Sequence, residues 1–237
     1  MTEYETQMEH WNELAQFHGD TLDFYLLGFT CRIRHMSLSL SVHTLPFFRS
    51  VVETARPTHL RLSISTMLFS KRTPTYLHDP GLADLKSLEL DVNVWVGGQD
   101  SYKGNTDVDG FLGHAIDLLR RASAQQFTFH LTVQNSSARQ HLFMWSSSSE
   151  PGDSDEQRER VTRPPAVPLC PLETWVKEVD LDALAHRCFE AVPSLVSVKL
   201  EAWSRDRGSS HKSMELSRVQ EPVNELQDAL RQHPLMP

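Results

Sequence analysis

The residues of this chain that could do chemistry are its twelve histidines, its three cysteines and its many serines. Spacing decides what they can do. A zinc hydrolase of the H-E-x-x-H kind needs two imidazoles one helical turn apart with a carboxylate between them, and that pattern is absent. His186 and Cys188 are two residues apart, so a helix would point them in different directions. His114 and Asp117 can share a helix face, but no third ligand stands near them in sequence. A nucleophilic serine on a G-x-S-x-G elbow is also missing. Gly97-Gly98 lacks the third glycine of a dinucleotide loop and the lysine of a phosphate loop. The cysteines, Cys31, Cys170 and Cys188, form no C-x-x-C pair, and their odd number is unlike a secreted disulfide framework. The sequence therefore predicts no catalytic residue, no metal ligand and no cofactor, and it predicts free thiols in a reducing compartment.

Binding is what remains, and the totals limit the partner. A net charge of -8 argues against a dedicated nucleic-acid binder, and Lys71-Arg72 alone is no phosphate-binding patch. No apolar run approaches the roughly 20 residues of a membrane helix, so no membrane contact is expected. Met1 to His10 is polar and acidic, without the basic and apolar regions of a signal peptide. A cytoplasmic or nuclear protein with a protein partner is the expectation. At 237 residues and 39% hydrophobic content, the chain is read as a single domain, 1–237.

The elements that would position a binding face follow from periodicity. Residues 4–17 read as a helix, with Trp11, Leu14, Ala15 and His18 on one side and Gly19 as its stop. Leu22, Phe24 and Leu26 alternate as a strand, as do Leu38, Leu40 and Val42. A helix is predicted over 45–55, with Thr44 as cap and Pro46 in its first turn. Leu60, Leu62 and Ile64 make a strand, 71–81 a loop, and Leu85 to Val94 the clearest strand. After the Gly97-Gly98 loop, Thr106 to Asp109 resembles a capping box opening a helix over 108–123. Phe127 to Val133 is a strand. The serine run, charges and prolines over about 135–168 read as a disordered insertion. A helix over 179–191, a strand from Val196 to Ala202 and a last helix over 221–232 complete the pattern.

One segment, Leu85-x-x-Leu88-x-Leu90-x-x-Asn93, reproduces the leucine-rich-repeat template L-x-x-L-x-L-x-x-N, in which Asn satisfies backbone groups at a strand-to-loop corner. Leu195-x-x-Val198-x-Leu200 is a degenerate copy, and Leu60-x-Leu62 and Phe127-x-Phe129 are weaker ones. The predicted fold is α/β, with irregular leucine-rich-repeat-like strand–helix units forming a curved, mostly parallel sheet and helices on its outer face. With phrases such as DLKSLELDVNVW and EAVPSLVSVKLEAW, the chain resembles the leucine-rich-repeat region of fungal F-box-like proteins over roughly residues 20–205. The resemblance implies substrate recognition for a ubiquitin ligase. An F-box is not recognisable in residues 1–60, where Leu45-Pro46 leads into Phe47-Phe48-Arg49, so a ligase adaptor would require an F-box outside this chain. The alternatives are a hydrolase on an α/β sheet and a truncated repeat fragment.

In such a strand the residues between the inward leucines face the other way. Arg61, Ser63, Glu89, Asp91, Thr128, His130, Lys199 and Glu201 are the candidate binding residues on this concave face. The plain alternative is that they form the solvated side of a sheet. Trp95 and Trp203, at strand ends, read as binding anchors or as packing at the edge of the core, and the second is the expectation.

Overall fold

The computed structural model describes residues 13–69, 74–96, 107–135, 169–205 and 210–218. Their strands are β1 (Glu13–Asp20), β2 (Arg32–Leu40), β3 (His59–Ser65), β4 (Ser87–Val96), β5 (Gln126–Asn135), β6 (Ser197–Arg205) and β7 (Ser210–Ser217). They form one sheet in chain order, β1 to β7. The first six strands are parallel, and β7 returns antiparallel to β6. The helices are α1 (Thr21–Leu27), α2 (Leu45–Ala55), α3 (Thr66–Phe69), α4 (Val108–Ala122), α5 (Pro171–Glu178) and α6 (Leu181–Ala191). This is the α/β, mostly parallel architecture expected from the leucine spacing.

The L-x-x-L-x-L pattern acquires a physical meaning here. Leu85, Leu88 and Leu90 are all buried, although the first two are three residues apart and a simple strand alternates every two. The break is absorbed at the strand entrance. The Lys86 carbonyl accepts from the N–H groups of both Gln125 and Gln126, at 2.8 and 3.1 Å. Thr58 O does the same for Lys86 and Ser87, and Gln125 O for Val196 and Ser197. The same spacing recurs in register as Ile33-x-x-Met36-x-Leu38, Pro57-x-x-Leu60-x-Leu62 and Ala124-x-x-Phe127-x-Phe129. Each of these nine residues is buried. Across the sheet Leu38, Leu62, Leu90, Phe129 and Leu200 stand side by side. Each buried side chain of this size contributes about 1.5–3 kcal/mol.

The helices cover the face to which these residues point. Phe48, Val51 and Val52 of α2, Leu112, Ile116 and Leu119 of α4, and Leu184 and Cys188 of α6 join the strand residues in one apolar cluster. Two 3₁₀ turns, Thr75–His78 and Pro80–Leu82, lie in the segment read as loop. Gly81 allows a close approach there, since a Cβ would lie 2.7 Å from the backbone of Val52 and Glu53 in α2.

Several sequence expectations change. Residues 13–20 are a strand, not the end of a helix, and Gly19 lies within it. Leu14-x-x-Phe17-x-Gly19 is a further copy of the repeated spacing, with Gly in place of the last leucine. Three-residue spacing of Leu14 and Phe17 fits a helix equally well, which is why periodicity points the wrong way here. Residues 21–27 form a helix, not a strand. Asp20 caps it, accepting from Leu22 N at 2.8 Å, and Gly28 at φ 64° closes it. Asp107, rather than Thr106, caps α4 by accepting from Gly110 N. The helix read over 179–191 is preceded by α5, which sequence reading missed although Pro171 and a Cys170–Glu173 capping box mark its start. Strand β7 was also missed. Trp11, Thr106, nearly all of the insertion at 135–168 and the helix at 221–232 lie outside the described residues.

Candidate functional site: the open face of the sheet

Alternation along each strand sends every second side chain to the face away from the helices. All eight predicted residues stand there, in two neighbouring rows across four strands. Arg61, Glu89, Thr128 and Lys199 are in register, and so are Ser63, Asp91, His130 and Glu201. Ser37 extends the first row to β2 and Glu215 extends it to β7.

Charges of opposite sign link these rows. The Arg61 guanidinium lies 3.3 Å from Glu89 and 3.3 Å from Asp91. His130 Nδ1 lies 2.9 Å from Glu201 Oε2, and its Nε2 lies 3.8 Å from Glu89. Lys199 Nζ reaches the other Glu201 oxygen at 2.9 Å. Asn93 Nδ2 donates to Asp91 at 3.0 Å. One polar network thus runs from β3 to β6. The Lys199 hydrogen bond, followed by that from His130, holds the Glu201 carboxyl below its ordinary range, against the opposing effect of burial. The same carboxylate raises the Lys199 ammonium.

A second cluster, which sequence reading missed, lies one row toward the strand entrances. The His35 and His59 rings stack with centroids 4.2 Å apart and planes 19° from parallel. Burial, then the charge of His35, lowers the His59 pKa. Its Nδ1 lies 3.0 Å from Thr58 Oγ1. With Gln16, Ser37, Arg61, Ser87 and Glu89 these rings border a shallow depression of about 250 Å³. The signal was present in the x-x of I-x-x-M and P-x-x-L, whose second residue is the first open-face position of its strand.

Two other expectations are corrected. Trp95 and Trp203 do not pack at the core edge. They stand on the open face, 55% and 39% exposed, with Trp203 beside His211 at 5.5 Å between centroids. Their neighbours Val94 and Ala202 take the inward positions, so alternation turns both indoles outward. Asn93 is not at a corner either. Strand β4 continues to Val96, and Asn93 pairs in register with Ser65 and Thr132.

Elsewhere, perturbed groups are scattered and packed into structure. His78 Nε2 meets His114 Nδ1 at 3.1 Å while Arg121 holds His78 Nδ1 at 3.2 Å, fastening the first 3₁₀ turn to α4. Burial, followed by Arg121 and His114, lowers the His78 pKa. Burial raises the Cys188 thiol to about 11, and Cys188 and Cys31 are buried free thiols. Among the described residues, no three histidine, cysteine or acidic side chains converge as a metal set. No described helix is long and apolar enough to cross a membrane. Comparison with known proteins gave no matching family model, no matching curated sequence and no matching solved structure.

Proposed function

We propose that this chain is a non-catalytic interaction scaffold that holds a protein partner on the open face of its sheet. The observation that carries this reading is the pair of polar rows, Arg61–Glu89–Thr128–Lys199 and Ser63–Asp91–His130–Glu201. The charged side chains of these rows are mutually oriented by ion pairs on a sheet whose other face is locked by packing. Preorganised polar groups lose little freedom when a partner docks, which lowers the entropic cost of binding. The exposed Trp95 and Trp203 belong to the residue type most enriched among binding hot spots.

The finer reading is substrate recognition for an F-box-type ubiquitin ligase in the cytoplasm or nucleus. It is supported by the recurrence of L-x-x-L-x-L along the sheet and by free rather than paired cysteines. In this reading the ligase adaptor is reached through an F-box outside this chain.

The test is affinity capture of the endogenous protein, with any F-box outside this chain included, in two charge-reversed versions that keep the same core. One carries Glu89→Lys and Glu201→Lys on the open face. The other carries Asp117→Lys and Asp182→Lys on exposed helix positions. The expected outcome is loss of the captured substrate protein from the first alone, with a cullin-ligase adaptor retained by both. Equal capture by the wild type and the first variant would refute the open-face reading. Capture that depends on the open face but contains no ligase component would refute the ubiquitin role alone.

A further inference from the structure

The polar rows of the open face are not balanced in charge. Among the described side chains, β3 to β7 place four carboxylates there, Glu89, Asp91, Glu201 and Glu215, against two permanent cations, Arg61 and Lys199. Arg61 divides its one charge between Glu89 and Asp91, at 3.3 Å each. Lys199 lies 2.9 Å from Glu201, and its ammonium is raised by that carboxylate first and then, with burial opposing, by Glu215 and Glu89. Two negative charges are left over, and one remains even when His130 carries a proton between Glu201 and Glu89. A carboxylate already holding one cation keeps lone pairs for another donor, since its two oxygens accept about four hydrogen bonds.

The acidic half of the sheet also carries two large aromatic groups. On the open side, Trp203 stands two residues beyond Glu201 on β6, and Trp95 four residues beyond Asp91 on β4. At about 3.3 Å per residue, these steps are roughly 7 and 13 Å. In an extended peptide, side chains on one face recur every second residue, about 7 Å apart, so successive basic side chains match the step from a carboxylate to an indole. A guanidinium or ammonium is attracted to both groups, to the first by its charge and to the second by the π face.

Resting on the scaffold reading above, we propose that the open face over β4 to β7 is the docking site for an extended basic segment of the partner protein, with lysine or arginine at every second position. Charge complementarity selects this occupant. An acidic segment would meet a net negative surface. An apolar segment would strip water from Glu89, Asp91 and Glu201 without replacing its hydrogen bonds.

The experiment is calorimetric titration of the purified chain at low salt with a blocked eight-residue peptide alternating arginine and serine. The matching aspartate–serine peptide is the control. Because the whole chain carries a net charge of -8, two variants are compared that lose the same charge from different places. Glu201→Gln with Glu215→Gln alters the open face, and Asp117→Asn with Asp182→Asn alters exposed helix positions. The expected result is binding of the arginine peptide alone, weakened at least about ten-fold by the first pair and less than about two-fold by the second. Lys199→Gln removes a competing cation and should tighten binding at least about three-fold. Circular dichroism on each variant checks that the fold is kept. No binding of the arginine peptide, equal binding of both peptides, equal losses from the two pairs, or a Lys199→Gln protein that binds no tighter would overturn the proposal. If it is overturned while the Glu89→Lys, Glu201→Lys protein still loses its captured substrate, the scaffold reading stands and only the basic-segment assignment falls.

Discussion

The same seven strands carry two faces of different chemistry. On the helix side, Leu38, Leu62, Leu90, Phe129 and Leu200 lie in register and are almost fully excluded from water. One residue along each strand, Ser37, Arg61, Glu89, Thr128 and Lys199 form the matching row on the open side. The first row is held by packing, which is costly to alter. The second is held by partly exposed ion pairs, which water and salt screen and which contribute little to folding. On the proposed scaffold reading, a sheet built this way separates stability from recognition. Open-face residues can change to suit a partner without unfolding the scaffold.

Substitutions on the two faces should therefore differ most in stability. Phe129→Ala empties the centre of the buried row and should cost about 3–5 kcal/mol, lowering Tm by roughly 10 °C in a thermal melt. Gly81→Ala should cost about 1–3 kcal/mol, because the new Cβ meets the rigid backbone of α2 and not a movable side chain. Acidification comes next. His59 and His78 have folded pKa values below their ordinary 6.5. Their contribution is full above pH 6.5 and is lost as pH falls through the folded values. Glu201, held below its ordinary 4.5, adds a loss in the same direction at lower pH. Tm measured against pH should be flat above about pH 7 and fall below 6.5, with His59→Asn flattening part of the fall. The smallest effect is expected for Glu201→Gln, which should move Tm by no more than about 4 °C while altering the open face. A Glu201→Gln melt as damaging as Phe129→Ala would erase the distinction between the faces.

The strands from β2 to β6 are legible in the sequence because most of their buried positions are Leu, Val, Ile or Phe, and alternation then fixes which residues face outward. That is why periodicity alone suffices to place the eight candidate residues on one face. The first unit reads as a helix because Gly19 stands where its last leucine should be. There a Cβ would lie 3.1 Å from the Phe17 ring, so the glycine leaves room for the aromatic side chain. β7 is illegible for another reason. Lying at the sheet edge, it alternates half-buried and exposed residues without a strong apolar signal. Its inward Lys212 instead donates to the carbonyls of Lys177 and Val179 at the end of α5. The ion-pair network and the His35–His59 stack depend on pairing between strands far apart in sequence, which periodicity within one strand does not encode.

The most direct test of the central claim is oxidative footprinting of the chain alone and after capture with its bound partner. The account predicts that Trp95 and Trp203 on the open face become protected in the complex while Tyr25, Leu26 and Leu27, exposed on α1, stay labelled. Protection of the α1 residues with unchanged labelling of the two tryptophans would place the partner on the wrong side and contradict it.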